Sequence, residues 1–264
     1  MILLEKEIIR DIIDDMDWSF SRLNSFYSCK KIWYLTYIMK RNERTNFFSE
    51  YGTFIHNILE KYNKNQLEIF ELLQYFEKFY LDEVKTIAPP NKFRDLNDLY
   101  YSQAIDFFSE FNGYNDETIG AELKFSFIKN ILGKNRKFIG VIDRLSKDEN
   151  GYVITDYKSK AKFSSKKEQK KYARQLYMYS YAVKEMFGEF PYLLKFEHFR
   201  KNTVTKIFFN TEDFNETFFW IENTIDLIYN ENLFSETENE FFCGNLCGAT
   251  ENDCNVLLDK TNIL

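Results

Sequence analysis

Proline and histidine are scarce in this chain, with three of the one and two of the other in 264 residues, and there are four cysteines. So little proline leaves no stretch that reads as a linker, and the length fits one large domain with helical additions better than two separate domains. No run of eighteen apolar residues occurs, which argues against a membrane-spanning helix. The start, MILLEKEIIRDIIDDMDWSF, alternates acids with isoleucines in place of a charged, apolar and small-residue leader, so the expectation is a soluble, cytoplasmic protein. A G-x-x-x-x-G-K-[ST] phosphate loop is missing too, so any ATP-driven strand separation must come from a partner. Excess positive charge is also lacking. A net charge of −6 argues against wholesale adhesion to a polyanion, so any nucleic-acid site is local.

One local candidate stands out. From Lys158 to Arg174, KSKAKFSSKKEQKKYAR carries seven lysines and one arginine against a single glutamate. It reads either as a solvated loop and helix start or as a surface that tracks phosphates, with Phe163 and Tyr172 available to stack on bases or to join the core. The 19% aromatic content supplies ample core material and says little about function.

Periodicity divides the chain. The stretch 17–40 reads as one helix capped by Ser19 or Ser21, followed by helices over 49–63, 66–84 and 96–111. From 119 the period shortens. Strands are expected over 119–130, 137–145 and 151–159, the last two joined by a hairpin through SKDENG. A helix over 168–187 stops at Gly188, strands follow over 191–200 and 204–210, and a final helix over 211–230 takes Thr211 as its cap. The fold class is therefore α/β: a mixed central sheet flanked by helices, a helical N-terminal half and a cysteine-containing C-terminal tail.

The chemistry concentrates in GVIDRLSKDENGYVITDYKSK, Gly140 to Lys160. Residues two apart on a strand share a face, so Asp156 and Lys158 project together while Tyr157 points away. A paired hairpin brings Asp143 beside them. Adjacent carboxylates repel, and a divalent cation relieves this by taking oxygen ligands from both. The lysine then stands where it can orient water or steady charge on phosphorus, which is the chemistry of metal-assisted phosphodiester hydrolysis. By itself the acid-x-lysine pattern is unspecific: Glu83-Val84-Lys85, Glu122-Leu123-Lys124 and Glu168-Gln169-Lys170 match it equally, and a strand-end ion pair would look the same. Gln175 and Tyr179, four apart on one helical face, can both reach a phosphate or the lysine. His56 lies upstream on an amphipathic helix.

In order, Gly52-x-x-x-His56, Gly140-x-x-Asp143, Asp156-x-Lys158 and Gln175-x-x-x-Tyr179 resemble the PD-(D/E)XK nuclease superfamily. Within it the pattern is similar to the RecB-like group, which includes the AddB nuclease domain and the CRISPR-adaptation nucleases. The resemblance implies one nuclease domain over 1–264, with 1–115 mainly helical, 116–210 the restriction-endonuclease-like sheet core and 211–264 a helix and metal-binding tail. It implies that His56, Asp143, Asp156 and the Tyr157 carbonyl hold Mg2+ or Mn2+, that Lys158 positions the attacking water, and that Gln175 and Tyr179 organise the site and the DNA strand. Glu122 resembles an extra acid that some members use, although AELKF also describes an ordinary strand. The implied function is metal-dependent cleavage of DNA, by exonuclease more than endonuclease action on single strands or ends, in recombination, repair or CRISPR adaptation beside a helicase or adaptation partner. The alternative is a catalytically silent DNA-binding or scaffolding subunit. Loss of Asp156 or Lys158 is expected to abolish cleavage and to leave folding intact, since buried charges cost stability.

The cysteines are Cys29 and then Cys243, Cys247 and Cys254, the last three in FFCGNLCGATENDC. Disulfides are disfavoured inside cells, and four separate buried thiols would not cluster so; a four-thiolate metal site fits better, with free thiols as the alternative. Zinc and iron–sulfur both accept four thiolates. One cysteine before a RecB-like core and three after it implies a [4Fe-4S] cluster, although the spacing C-x3-C-x6-C is one residue wider in each gap than that group's C-x2-C-x5-C.

Overall fold

The computed structural model describes residues 6–41, 44–249 and 254. Residues 1–5, part of the start read as leaderless, and residues 250–253 and 255–264 of the tail lie outside them. No helix among the described residues is long and apolar enough to cross a membrane.

The expected α/β class is what the chain adopts: five strands form one mixed sheet, in the order β1 to β5, with helices around it and a helical N-terminal half. Strands β1 (Glu117–Ile131) and β2 (Lys134–Asp148) form a long hairpin, turned at Leu132 and Gly133, whose φ values of 54° and 76° suit a tight left-handed turn. After the turn at 149–150, β3 (Gly151–Lys158) runs antiparallel to β2. Next, β4 (Leu193–His198) pairs parallel to β3, from Val153↔Leu193 to Lys158↔His198, and β5 (Thr203–Phe208) returns antiparallel. A parallel pair requires a crossover. Helix α7 (Lys166–Phe187) supplies it, capped by Ser165 and closed by Gly188 in the left-handed region at φ 83°.

The chain forms two compact units. One comprises Asn46–Phe125 and Val141–Phe214. Its helices are α4 (Phe47–Asn63), α5 (Leu72–Glu83), entered through a 3-10 turn at Ile69–Glu71, and α6 (Leu96–Glu110), besides α7. Asn46 and Ser49 form a capping box that fixes where α4 begins. Its apolar face (Phe47, Tyr51, Ile55, Ile58) packs with Phe76, Phe107, Tyr157 and Phe199 in one aromatic-rich core. This anchors α4, which carries His56, beside the end of β3.

The other unit comprises Met1–Thr45, Ser126–Gly140 and Asn215–Leu264. It contains α1 (Lys6–Asp14), α2 (Phe20–Ser28), α3 (Lys30–Trp33) and α9 (Glu240–Asn245), with most of α8 (Thr211–Asn230). Fully buried Trp18 joins α1 and α2 to β2, donating its N–H to Lys137 O and accepting from Ile139 N, at 2.8 and 2.7 Å. Two expectations need correction here. The helix expected over 17–40 breaks at Cys29, whose backbone is extended (φ −163°, ψ 116°), then resumes as α3 and a π turn at Tyr34–Ile38. The cap of α8 is Asn210, whose Oδ1 accepts from Asp213 N at 2.8 Å, because Thr211 already lies inside the helix.

Candidate active site

The site forms where β2 and β3 part. Their ladder runs from Asp148↔Gly151 to Arg144↔Thr155. One residue further, the Asp143 carboxylate takes over: Oδ2 accepts from Tyr157 N at 2.7 Å. His56 meets the next peptide of the strand, its Nε2 lying 3.0 Å from Tyr157 O. A carbonyl only accepts, so Nε2 carries the proton and Nδ1 presents a lone pair. Nδ1 lies 3.5 Å from Asp143 Oδ2. Burial lowers the His56 pKa, which keeps the ring neutral and able to ligate.

Glu122 completes a cluster with these two: ligand atoms of His56, Glu122 and Asp143 all lie within 4.8 Å of one another. The sequence left Glu122 open as an ordinary strand residue, but its backbone is left-handed at φ 50° inside β1. A non-glycine residue adopts that conformation inside a strand only where its surroundings hold it, and such distortions re-aim a side chain. Gly52, Thr53, Asn57 and Glu60 line the same cavity. Glu60 was not singled out from the sequence, though it falls one helical turn after His56 and that spacing could have found it.

Asp156 and Lys158 share the next stretch of β3. Asp156 is buried, with Oδ2 2.6 Å from Lys158 Nζ. The ammonium also donates to Gln175 Oε1 at 3.1 Å, and Gln175 Nε2 donates to Tyr179 Oη at 2.9 Å. This order fixes the amide: an ammonium cannot accept, so the glutamine oxygen faces it. Tyr179 therefore accepts from Gln175 and keeps its own proton for another acceptor. Burial, then the carboxylates of Asp156, Asp143 and Glu122, hold that phenol protonated. The two aromatics of the basic run are engaged instead of open to bases: Phe163 and Tyr172 stack on each other with centroids 5.4 Å apart, and Phe163 also meets Phe196 and His198.

Burial and the neighbouring Asp156 carboxylate push the Asp143 pKa well up, and burial and Asp143 raise that of Glu122. Carboxylates that resist ionisation together, beside an imidazole lone pair, form a hard-cation donor set. A folded pKa above the unfolded value means the folded state keeps its proton longer, so metal-free stability falls as pH rises from about 4 through the folded pKa. Asp143→Asn removes that repulsion. In chelator at pH 8 the variant is expected to melt at least about 3 °C above the natural protein, with the gap shrinking towards pH 4. Melting curves across that range check it, and a constant gap would refute the assigned cause.

A mixed α/β sheet whose strands part around carboxylates, an imidazole and an ammonium has the restriction-endonuclease-like architecture. The chain belongs to the PD-(D/E)XK nuclease superfamily, which matches residues 17–252. That membership implies nuclease activity, typically with Mg2+ or Mn2+. An uncharacterised protein of Rickettsia typhi, RT0391, is 32% identical over 121 residues, which make up 42% of this chain and 14% of the relative. The chain therefore spans a small part of that relative's length. The crystal structure of SSO0001 aligns over 92% of this chain and 97% of its own at 14% identity, with a TM-score of 0.33, too low to carry an argument.

The cysteines gather within the other unit. Cys29 and Cys254 pack with Ile32 and Ala249, against Phe242 and Cys247. None of the four is in a disulfide. Burial raises the Cys247 thiol to about 11, and proximity to Cys29, Cys243 and Cys254 adds to the rise. Main-chain bonds tie the two ends of the chain around them, from Lys31 N to Ser235 O and from Arg44 N to Gly248 O, at 3.1 and 2.9 Å.

Proposed function

We propose that this chain is a metal-dependent deoxyribonuclease of the RecB-like type, acting from ends on single-stranded DNA. The observation that carries the reading is the convergence of ligand atoms of His56, Glu122 and Asp143 within 4.8 Å, with His56 Nδ1 3.5 Å from Asp143 Oδ2, beside an Asp156-bound Lys158. These three residues, with Asp156 and the second lone pair of the Tyr157 carbonyl, would hold Mg2+ or Mn2+. The bound cation supplies Lewis-acid polarisation of the phosphate and acidifies a water. Lys158 orients that water and steadies the charge developing on phosphorus. Gln175 holds Lys158 in place, and Tyr179 donates its remaining proton to a phosphate oxygen. The exposed Lys162, Lys166, Lys167 and Lys171 lead the strand's phosphates toward this point. Two other lysines of the run are internally paired, Lys160 with Glu168 and Lys170 with Asp213.

The cysteine set is read as a [4Fe-4S] site with a structural role. Four cysteines brought together around Cys247, whose ionisation burial and the three neighbouring thiols disfavour, are a donor set that a bound cation would compensate.

Cleavage of end-labelled linear and circular single-stranded DNA tests the nuclease reading. Linear substrate should be shortened from an end with Mn2+ or Mg2+, circular substrate spared, and both left intact in chelator. No cleavage by metal-replete protein with an intact cluster would overturn it in favour of a DNA-binding or scaffolding subunit.

A further inference from the structure

Behind the site, on the face of β3 opposite Asp156 and Lys158, lies a buried polar chain that the nuclease chemistry does not use. Asn63 Nδ2 donates to Tyr157 Oη at 2.9 Å, and Tyr114 Oη lies 3.1 Å from Tyr157 Oη and 3.0 Å from Glu197 Oε2. The Arg144 side chain has no exposed surface. Its Nε donates to Asn63 Oδ1 (3.2 Å) and Thr118 Oγ1 (3.0 Å), its Nη2 reaches Asp116 Oδ1 at 2.8 Å, and its guanidinium lies 3.9 Å from the Tyr114 ring centroid. A donor-only guanidinium on one side of Asn63 and hydroxyl and carbonyl acceptors on the other fix the orientation of its amide.

The three elements that build the site each contribute a member of this chain. Helix α4 gives His56 to the site and, two turns later, Asn63 to the network. Strand β2 gives Asp143 and then Arg144. Strand β3 gives Asp156 and Lys158, with Tyr157 between them pointing the other way. Tyr157 joins the two systems directly, since its peptide N–H holds the Asp143 carboxylate and its carbonyl holds the His56 ring.

We propose that Asn63, Tyr157, Tyr114, Arg144 and Glu197 form a positioning device: by gripping the Tyr157 hydroxyl, they set the Tyr157 peptide that aims His56 and Asp143 at the cation. The inference rests on the metal-dependent reading of the site and extends it to residues that touch neither metal nor DNA. The physical need is clear. Ligands must be held to within about 0.5 Å to select and bind an ion, and outer partners of ligands change affinity or activity by about 10–100-fold. A buried network whose Arg144 Nη1 has no hydrogen-bond partner among the described residues is also a costly way merely to fill space, which apolar residues do without such penalties.

The test uses Tyr157→Phe, which keeps the ring in the core and removes the gripped hydroxyl, with Asn63→Leu as a second variant acting from the other side. Arg144 is left alone, because it is itself fully buried and its removal would take the main cationic partner from the half-buried Asp116 carboxylate and threaten folding. Three readouts are taken well below the melting temperature: Mn2+ affinity by calorimetry, the His56 Nε2–H resonance by NMR in metal-free protein, and kcat with KM on linear single-stranded DNA. Expected for both variants are Mn2+ affinity weakened about 10–100-fold, a displaced and faster-exchanging His56 proton, and lower kcat with KM for DNA within about threefold. A lower melting temperature with Mn2+ affinity and the His56 signal unchanged would overturn the proposal and leave the network a stability element. The His56 signal decides the point even if the natural protein cuts no DNA, an outcome that would instead sink the nuclease reading.

Discussion

Lys158→Met is expected to lower single-turnover DNA cleavage by about 10³-fold or more while leaving Mn2+ binding within a few fold of the natural protein. Removal of a single group that orients a nucleophile or stabilises transition-state charge costs about 10²–10⁴-fold. Lys158 is placed for both roles, held between Asp156 and Gln175 at 2.6 and 3.1 Å. Its removal also touches stability, and here the structure departs from what the sequence suggested. Asp156 is 2% exposed and Lys158 is the cation paired with its carboxylate. Breaking a buried pair from one side leaves an uncompensated charge and costs about 3–5 kcal/mol, whereas replacing both partners can be near neutral. The metal-free Lys158→Met protein should therefore melt well below the natural one, and Asp156→Asn added to it should recover most of that loss without recovering cleavage. Retention of more than a tenth of the cleavage rate in the lysine variant would remove Lys158 from the chemistry. Unchanged melting would mean that water, and not Lys158, compensates Asp156.

What could be read in advance follows from which forces are local. Strand alternation placed Asp156 and Lys158 on one face and Tyr157 on the other, and helical spacing paired Gln175 with Tyr179; both relations hold, at 2.6 and 2.9 Å. Such geometry is set by backbone period alone. Three features escaped because side chains bonding to distant main chain decide them. Asp143 does not continue a ladder but replaces it, taking the Tyr157 amide where β2 and β3 part. Glu122 reaches the cluster through a left-handed residue that no alternation rule anticipates. Asn63 looked like the last residue of an amphipathic helix, and its role appears only once Arg144 and Tyr157 arrive from strands 81 and 94 residues away. The same limit applies to the break at Cys29. Helical periodicity runs unbroken across it, and the extended residue is required by the packing of its thiol with residues from the far end of the chain.

Cys29→Ser should bring the second large effect: loss of the visible absorption of a bound cluster, iron content falling from about four per chain to near zero, and much of the protein becoming insoluble. In the proposed cluster Cys29 would be the ligand supplied by the N-terminal segment, and through it the metal would couple α2 and α3 to the tail. With it absent, the contacts left between these segments among the described residues include the main-chain bond from Lys31 N to Ser235 O, the Lys30–Glu231 and Lys31–Glu236 ion pairs, and packing of Trp33 and Tyr34 on Phe234. A structural four-thiolate site contributes folding free energy on the order of 10 kcal/mol or more, comparable to the whole stability of a domain. Because burial holds the Cys247 thiol protonated, up to about 11, metal binding there would release its proton and should tighten with rising pH. The proposed metal site is built from the other unit's residues, so the soluble remainder of the Cys29→Ser protein should still bind Mn2+ where Asp143→Asn does not. Iron analysis, absorption spectra and Mn2+ calorimetry on anaerobically purified protein separate the outcomes. Stoichiometric zinc without iron would replace the cluster by a zinc site, and a natural protein free of both metals would leave the cysteines as packing residues alone.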